Sequence, residues 1–291
     1  MAAELIKGLP IAKAIREEII EEVNGLKAKG VQPKLAVLLV GDDPGSVWYA
    51  KSKVGVGEKL GIEVDLHTMA PDTSEETVLE QIQGWNMDSS VHGILVELPL
   101  PKGLSKEKVM ESIDPKKDVD GVHPVNRGYL LGGQEHLALV PATPLSCIAL
   151  AERAGIDFKG KRVTLVGRGD TVGRPLASLL IKRDATITVC HTKTKDLAAE
   201  CQRGEIVVAA AGFAGLVKKN MISPGAVVID AGVNEIKDEA TGESKYVGDC
   251  EPDVADVAAA LSPVPGGVGS LTTTIIMGNV LKALKLQGAD K

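Results

Sequence analysis

Apolar residues recur every four positions at Ile11, Ile15, Ile19 and Val23, with Glu17, Glu18, Glu21 and Glu22 between them. That spacing predicts an amphipathic helix with one face turned to a core. The pattern then changes. Residues 35–40 are an unbroken apolar run, LAVLLV, closed by the turn-forming string GDDPG at 41–45, and predict a short strand. A helical stretch follows through Lys59, then a strand over 62–69, a helix over about 75–85 and a buried strand, GILVEL, over 93–98. Strands alternating with helices predict βαβ units and a parallel sheet. Ligands of such sheets bind at the carboxyl ends of the strands, so the loops after Val40 and Val96 are candidate places for chemistry.

From residue 99 to 144 the pattern breaks into loops and short pieces, and PATP at 141–144 reads as a linker. Alternation then resumes, with buried strands expected at 162–166 (RVTLV), 186–190 (TITVC), 205–210 (EIVVAA) and 226–230 (AVVID). Residues 271–286 are apolar at helical spacing and predict a last helix that packs back on the first domain. A length of 291 residues suits two domains. The expected fold class is therefore α/β, with residues 1–143 plus 271–291 as one domain and 144–270 as the other, the second a Rossmann-like doubly wound parallel sheet.

Composition narrows the function. A net charge of −6 offers no basic field for a phosphate backbone, and seven aromatic residues are too few for base-stacking platforms. Nucleic acid is not an expected partner. The first 20 residues are charged throughout, unlike a signal peptide, and no window approaches a membrane span, so a cytoplasmic location without membrane association is expected. Cys147, Cys190, Cys201 and Cys250 form no CxxC pair and read as reduced thiols. The five histidines are scattered, and no metal is indicated.

The strongest local signal is VTLVGRGDTVGRPLASLL at 163–180, in which a strand runs into a glycine turn and a helix is expected from about Thr171. Glycines there let the backbone approach a pyrophosphate, which sits on the helix's unpaired N–H groups. The spacing Gly167, Gly169, Gly173 is one residue longer than the usual fingerprint, and the RGD string within it is a coincidence of the turn. After the next strand, where an NAD enzyme places an acid on the ribose, come His191, Thr192, Lys193 and Thr194. Hydroxyls and cations can hold a 2′-phosphate that a carboxylate would repel, and Arg168 can add a bidentate contact. The expected cofactor is NADP.

In the first half, Tyr49 and Lys53 lie four apart and would share a helix face, where the phenol can orient the ammonium. Glu97 stands at a strand's carboxyl end, Asp118 and Asp120 lie in the loop KKDVDG, and a second glycine-rich loop runs SPVPGGVGSLTTT at 262–274. Through these ordered motifs, from about Gly8 to Leu286, the chain closely resembles the bifunctional methylenetetrahydrofolate dehydrogenase/cyclohydrolase family. The resemblance implies NADP-linked oxidation of 5,10-methylenetetrahydrofolate, hydrolysis of the methenyl product to 10-formyltetrahydrofolate, and a homodimer with each cleft between two α/β domains.

It also implies roles. Lys53 corresponds to the catalytic lysine, oriented by Tyr49, with Glu97 beside it, and Asp120 to the aspartate on the pterin's amino-pyrimidinone edge. Val96, Leu98, Pro265, Gly266, Gly267 and Gly269 would border the folate, while Gly167, Arg168, Gly169, Gly173, Thr192 and Val233 would hold the cofactor. Asp118 is expected only to shape its loop. The chain departs from the family at Glu97, usually Gln, at Gly169, usually Ser, and at Ser270 and Leu271, usually Pro-Met. The first departure puts hydrolysis in question, leaving a dehydrogenase-only reading beside the bifunctional one. An NADP dehydrogenase of the shikimate or amino-acid type, and a cofactor-sensing protein without activity, compete with both.

Overall fold

The computed structural model describes residues 3–237 and 244–290. Its elements begin β1 (Glu4–Leu5), α1 (Gly8–Ala28), β2 (Lys34–Val40), α2 (Pro44–Leu60), β3 (Glu63–Met69), α3 (Glu75–Met87) and β4 (Gly93–Val96). They continue with α4 (Lys106–Glu111), α5 (Pro124–Leu131), α6 (Ala142–Arg153), β5 (Arg162–Val166), α7 (Gly173–Lys182), β6 (Thr186–Cys190) and α8 (Leu197–Arg203). Last come β7 (Ile206–Ala209), β8 (Val227–Asp230), β9 (Asn234–Lys237), β10 (Ser244–Val247), β11 (Ala260–Leu261) and α9 (Thr272–Leu286). They divide into two units: Ala14–Ala142 with Thr273–Lys291, and Met1–Lys13 with Thr143–Thr272.

In the first of these units β2 is the middle of a parallel sheet ordered β3-β2-β4. A middle strand covered on both faces needs apolar side chains in both directions, which is why LAVLLV shows no alternation. Ala36, Leu38 and Val40 pack with Val78, Ile82 and Trp85 of α3 and with Ile94 and Val96 of β4. The last helix joins this unit. Asn279 on α9 donates to the carbonyl oxygens of Val119 (2.7 Å) and Val140 (2.8 Å), and Lys285 pairs with Glu22 of α1 at 2.8 Å.

The other unit carries a parallel sheet ordered β1-β11-β8-β7-β5-β6. The chain leaves β5 toward β6 and returns across it to β7, so the winding reverses at β5, where such sheets open a crevice at their carboxyl ends. β9 and β10 form a separate antiparallel pair.

Four expectations are corrected. Residues 1–13 were expected with the first half, but β1 pairs with β11 and carries them into the other unit. Both strands are two residues long, too short for any periodic signal. PATP is where the chain passes from one unit to the other, as expected of a linker, but it does so as the helical entry to α6; a proline in the first turn gives up an N–H that would have had no helical partner. Residues 99–144 also hold α4, capped by Ser105, and α5, which starts with Pro124 after the cap His123. TITVC, expected to be buried, is the edge strand β6, with Thr186, Thr188 and Val189 exposed. All four cysteines are free thiols. Among the described residues no helix is long and apolar enough to cross a membrane.

Candidate functional site

Two constellations stand at carboxyl ends of strands, one in each unit. The first begins with α2. Asp43 caps its start, accepting from the Ser46 N–H at 2.8 Å and the Ser46 hydroxyl at 2.9 Å, and Pro44 sets the first turn. The same hydroxyl lies 3.1 Å from the Leu98 carbonyl oxygen and shares its one hydrogen between the two acceptors, tying the helix to the segment that leaves β4. β4 ends at Val96, so Glu97 lies just past the strand, where its N–H still reaches the Leu38 carbonyl at 2.9 Å. Val96 and Glu97 are buried, Leu98 is half-buried, and the Leu98–Pro99 peptide is cis.

On this frame Lys53 Nζ meets Glu97 Oε1 at 2.7 Å. The ammonium also lies 5.8 Å from the centre of the Tyr49 ring, within cation–π range. This corrects the expected geometry: the ring face of Tyr49 borders the ammonium, while the hydrogen bond goes to Glu97. Tyr49 is half exposed and stands edge-on to the exposed Trp48, with ring centres 5.1 Å apart.

Asp120 completes this group, and the loop that carries it is pinned from both sides. Lys117 is buried and donates to the carbonyl oxygens of Trp85, Asn86 and Asp88 at 2.7–3.0 Å, capping the end of α3. Asp118 Oδ2 accepts from the His123 N–H (2.8 Å) and from Asn126 Nδ2 (2.9 Å) at the start of α5. Gly121 has φ +63°, and a Cβ there would strike the Leu139 carbonyl oxygen. Between these anchors Asp120 keeps part of its surface open. Burial, then the charge of Asp118, lift its carboxyl to about 7, against the opposing pull of Lys53 and Lys106. Lys53 and Glu97 are thus close enough to act on the charge of Asp120, whose carboxyl can give or take a proton near neutrality.

The second constellation follows β5. Gly167 has φ +121°, and a Cβ there would run into the Ala210 carbonyl oxygen at the end of β7. Gly173 opens α7, and a Cβ there would meet Gly167 O and the Arg168 backbone. Both positions therefore require glycine. Gly169 does not, since a Cβ there would meet open space. Val172 supplies no side-chain cap to α7, which leaves the helix start available to an anion. The helix starts two residues later than Thr171, where the sequence placed it. Arg168 is exposed, and Asp170 of the RGD string pairs with Arg174 at 2.8 Å.

After β6 the turn is tied by its own side chains. Thr194 Oγ1 accepts from the His191 N–H at 2.9 Å, and His191 Nδ1 accepts from the Lys193 N–H at 3.1 Å. This leaves Thr192, Lys193 and Lys195 on the surface. The next carboxylate, Asp196, is occupied as the cap of α8. Cations and hydroxyls therefore face the place where an NAD site would hold an acid, and the residues fit a 2′-phosphate. Val233, just past β8, is exposed. Pro265, Gly266, Gly267 and Gly269 lie in this same unit; Gly266 has φ +107°, and a Cβ on Gly267 would meet Pro263 O.

The sequence reading missed Lys106, whose charge acts on Asp120, and Asp249, which accepts from the N–H groups of Ala211, Gly212 and Phe213. Nothing local marks either residue, because each acts on a loop distant in sequence.

Comparison with known proteins identifies the family of each unit. Residues 6–120 match the family model of the tetrahydrofolate dehydrogenase/cyclohydrolase catalytic domain, and residues 141–288 match that of its NAD(P)-binding domain. The chain is 57% identical over 289 residues to a bifunctional protein FolD of Heliobacterium modesticaldum, covering 99% of this chain and 98% of that one. The crystal structure of the bifunctional FolD enzyme of Campylobacter jejuni is 39% identical, with a TM-score of 0.93 over 98% of this chain and 100% of that one. The Trypanosoma brucei FolD structure, complexed with NADP cofactor and inhibitor, is 35% identical, with a TM-score of 0.92 over 99% of each chain.

Proposed function

We propose that this chain, which belongs to the tetrahydrofolate dehydrogenase/cyclohydrolase family, oxidises 5,10-methylenetetrahydrofolate with NADP and hydrolyses the methenyl product to 10-formyltetrahydrofolate. The observation that carries the reading is the buried Lys53–Glu97 pair beside Asp120 at the end of β4, within the part that matches the catalytic-domain model. Similarity over the full length sets aside the shikimate-type, amino-acid-type and cofactor-sensing readings.

NADP, when bound, supplies the hydride acceptor. The methylene carbon sits between two nitrogens whose lone pairs stabilise the cation left by hydride loss, so this step needs positioning more than a strong acid or base. Arg168 and Thr192 would hold the 2′-phosphate, Gly167, Gly169 and Gly173 would admit the pyrophosphate, and the Val233 backbone would meet the nicotinamide end. Tyr49, Val96 and Leu98 border the folate, and Asp120 accepts from its amino group and ring N–H. Hydrolysis needs a proton taken from water and one given to the departing ring nitrogen. Lys53 is the group placed for that transfer, held by Glu97 and the Tyr49 ring.

The working form in this reading is a homodimer, as the family resemblance implies, to be checked by sedimentation. Four unpaired thiols accord with the reducing cytoplasm. The decisive assay follows NADPH formed from methylenetetrahydrofolate and, separately, loss of the methenyl compound. Lys53→Met should slow hydrolysis by about 100- to 10,000-fold while folate and NADP still bind. A native chain that makes no NADPH from methylenetetrahydrofolate would overturn the reading.

A further inference from the structure

We infer that Phe213 is the flat wall against which the nicotinamide half of the cofactor rests, and that Asp249 is the residue that positions it. The inference rests on the NADP reading above.

β7 and β8 are neighbours, with Ala209 opposite Asp230 at their carboxyl ends. The loops leaving both ends are fastened to one buried carboxylate. Asp249 Oδ2 accepts from the N–H groups of Ala211 (2.6 Å) and Gly212 (2.9 Å), and its Oδ1 accepts from the Phe213 N–H (2.9 Å) and from Asn234 Nδ2 (2.9 Å). Asp249 is itself fixed, because its N–H donates to Asp230 Oδ1 at 3.0 Å, an oxygen that also receives the Gly232 N–H at 2.9 Å. The backbone at Gly232 runs so close that a Cβ there would strike the Asp249 carboxylate. A carboxylate taken out of water is costly unless its lone pairs are filled, and these four donors fill them. The outcome is a loop pair held rigidly where ligands of such sheets bind.

This rigid base displays two apolar side chains to solvent, Phe213 at 65% exposure and Val233 at 56%. The only other phenylalanine, Phe158, is buried. Across the sheet the order runs β8-β7-β5-β6, with Thr192 beyond β6 and the glycine turn that carries Arg168 beyond β5. The rest of an extended dinucleotide then lies over the ends of β7 and β8. Three strand spacings, roughly 14 Å, separate β6 from β8, which suits the length of such a molecule. A planar ring arriving there meets the exposed face of Phe213.

Phe213→Trp tests this directly when its fluorescence is read as the difference from the native chain, whose tryptophans are Trp48 and Trp85. NADP should quench the introduced indole, and 2′,5′-ADP, which lacks the nicotinamide half, should bind without quenching it. Phe213→Ala should raise the KM for NADP roughly tenfold, as loss of an aromatic stacking partner does, and leave the KM for the folate unchanged. Asp249→Asn should raise the NADP KM in the same selective way, a split that a general loss of folding would not produce. An indole blind to NADP in a variant that still makes NADPH would overturn the inference and spare the functional reading. An indole quenched equally by 2′,5′-ADP would also overturn it. A native chain that binds no NADP would overturn both.

Discussion

Lys53 Nζ lies 2.7 Å from Glu97 Oε1, with the two side chains only 9% and 8% exposed. One comes from α2 and the other from just beyond β4. A buried pair gives up hydration at both ends, and the attraction offsets that loss only while the contact stays short. The carboxylate also competes with substrate and water for the lysine's protons.

Glu97→Gln keeps the shape and removes the charge. It should increase methenyl hydrolysis near neutral pH and leave dehydrogenation little changed. Both activities measured across pH, for the native chain and the variant, check this. Superimposable hydrolysis profiles would mean that the carboxylate does not hold Lys53 back.

Asp120 has a second pH signature. With its carboxyl raised to about 7, it is neutral in mild acid and ionised above neutrality. Folate binding that needs the carboxylate as an acceptor should weaken as pH falls through about 7, and Asp120→Asn should lose that dependence. Stability runs the other way. The folded state keeps the proton that the unfolded chain releases near pH 3.8, so this group's contribution declines as pH rises to about 7 and is level beyond. The melting temperature of Asp120→Asn relative to the native chain should therefore increase between mild acid and pH above 7, as a pH series of thermal melts would show.

Lys117→Met should destabilise the fold by on the order of 3 kcal/mol, because three carbonyl oxygens at the end of α3 lose a charged donor. Denaturant unfolding measures the loss. Asp120 depends on the same loop, so folate KM should rise even at temperatures where the variant is fully folded.

Arg168→Ala should weaken NADP by about 1.5–3 kcal/mol and NAD far less, since only NADP carries the 2′-phosphate. Titration calorimetry with both cofactors separates the cases. Equal losses would assign Arg168 to the shared pyrophosphate.

What the sequence determined on its own was local. The apolar run at 35–40, the glycine turn at 167–173 and the Tyr49–Lys53 spacing each announce themselves within a few residues, because period and turn chemistry are properties of neighbours. The charge-for-neutral exchange at Glu97 came into view only through the family resemblance, and not what it touches. Tertiary structure decided the partners. It joined Lys53 to a carboxylate 44 positions away, paired β1 with β11, and set Asp249 under a loop 36 to 38 residues upstream. It also gave helices to the proline-rich middle, where α4 and α5 are one or two turns long and rest on capping more than on a periodic face. Such choices follow from which surfaces meet once the sheets close, and that is a sum over distant contacts that no window of the chain contains.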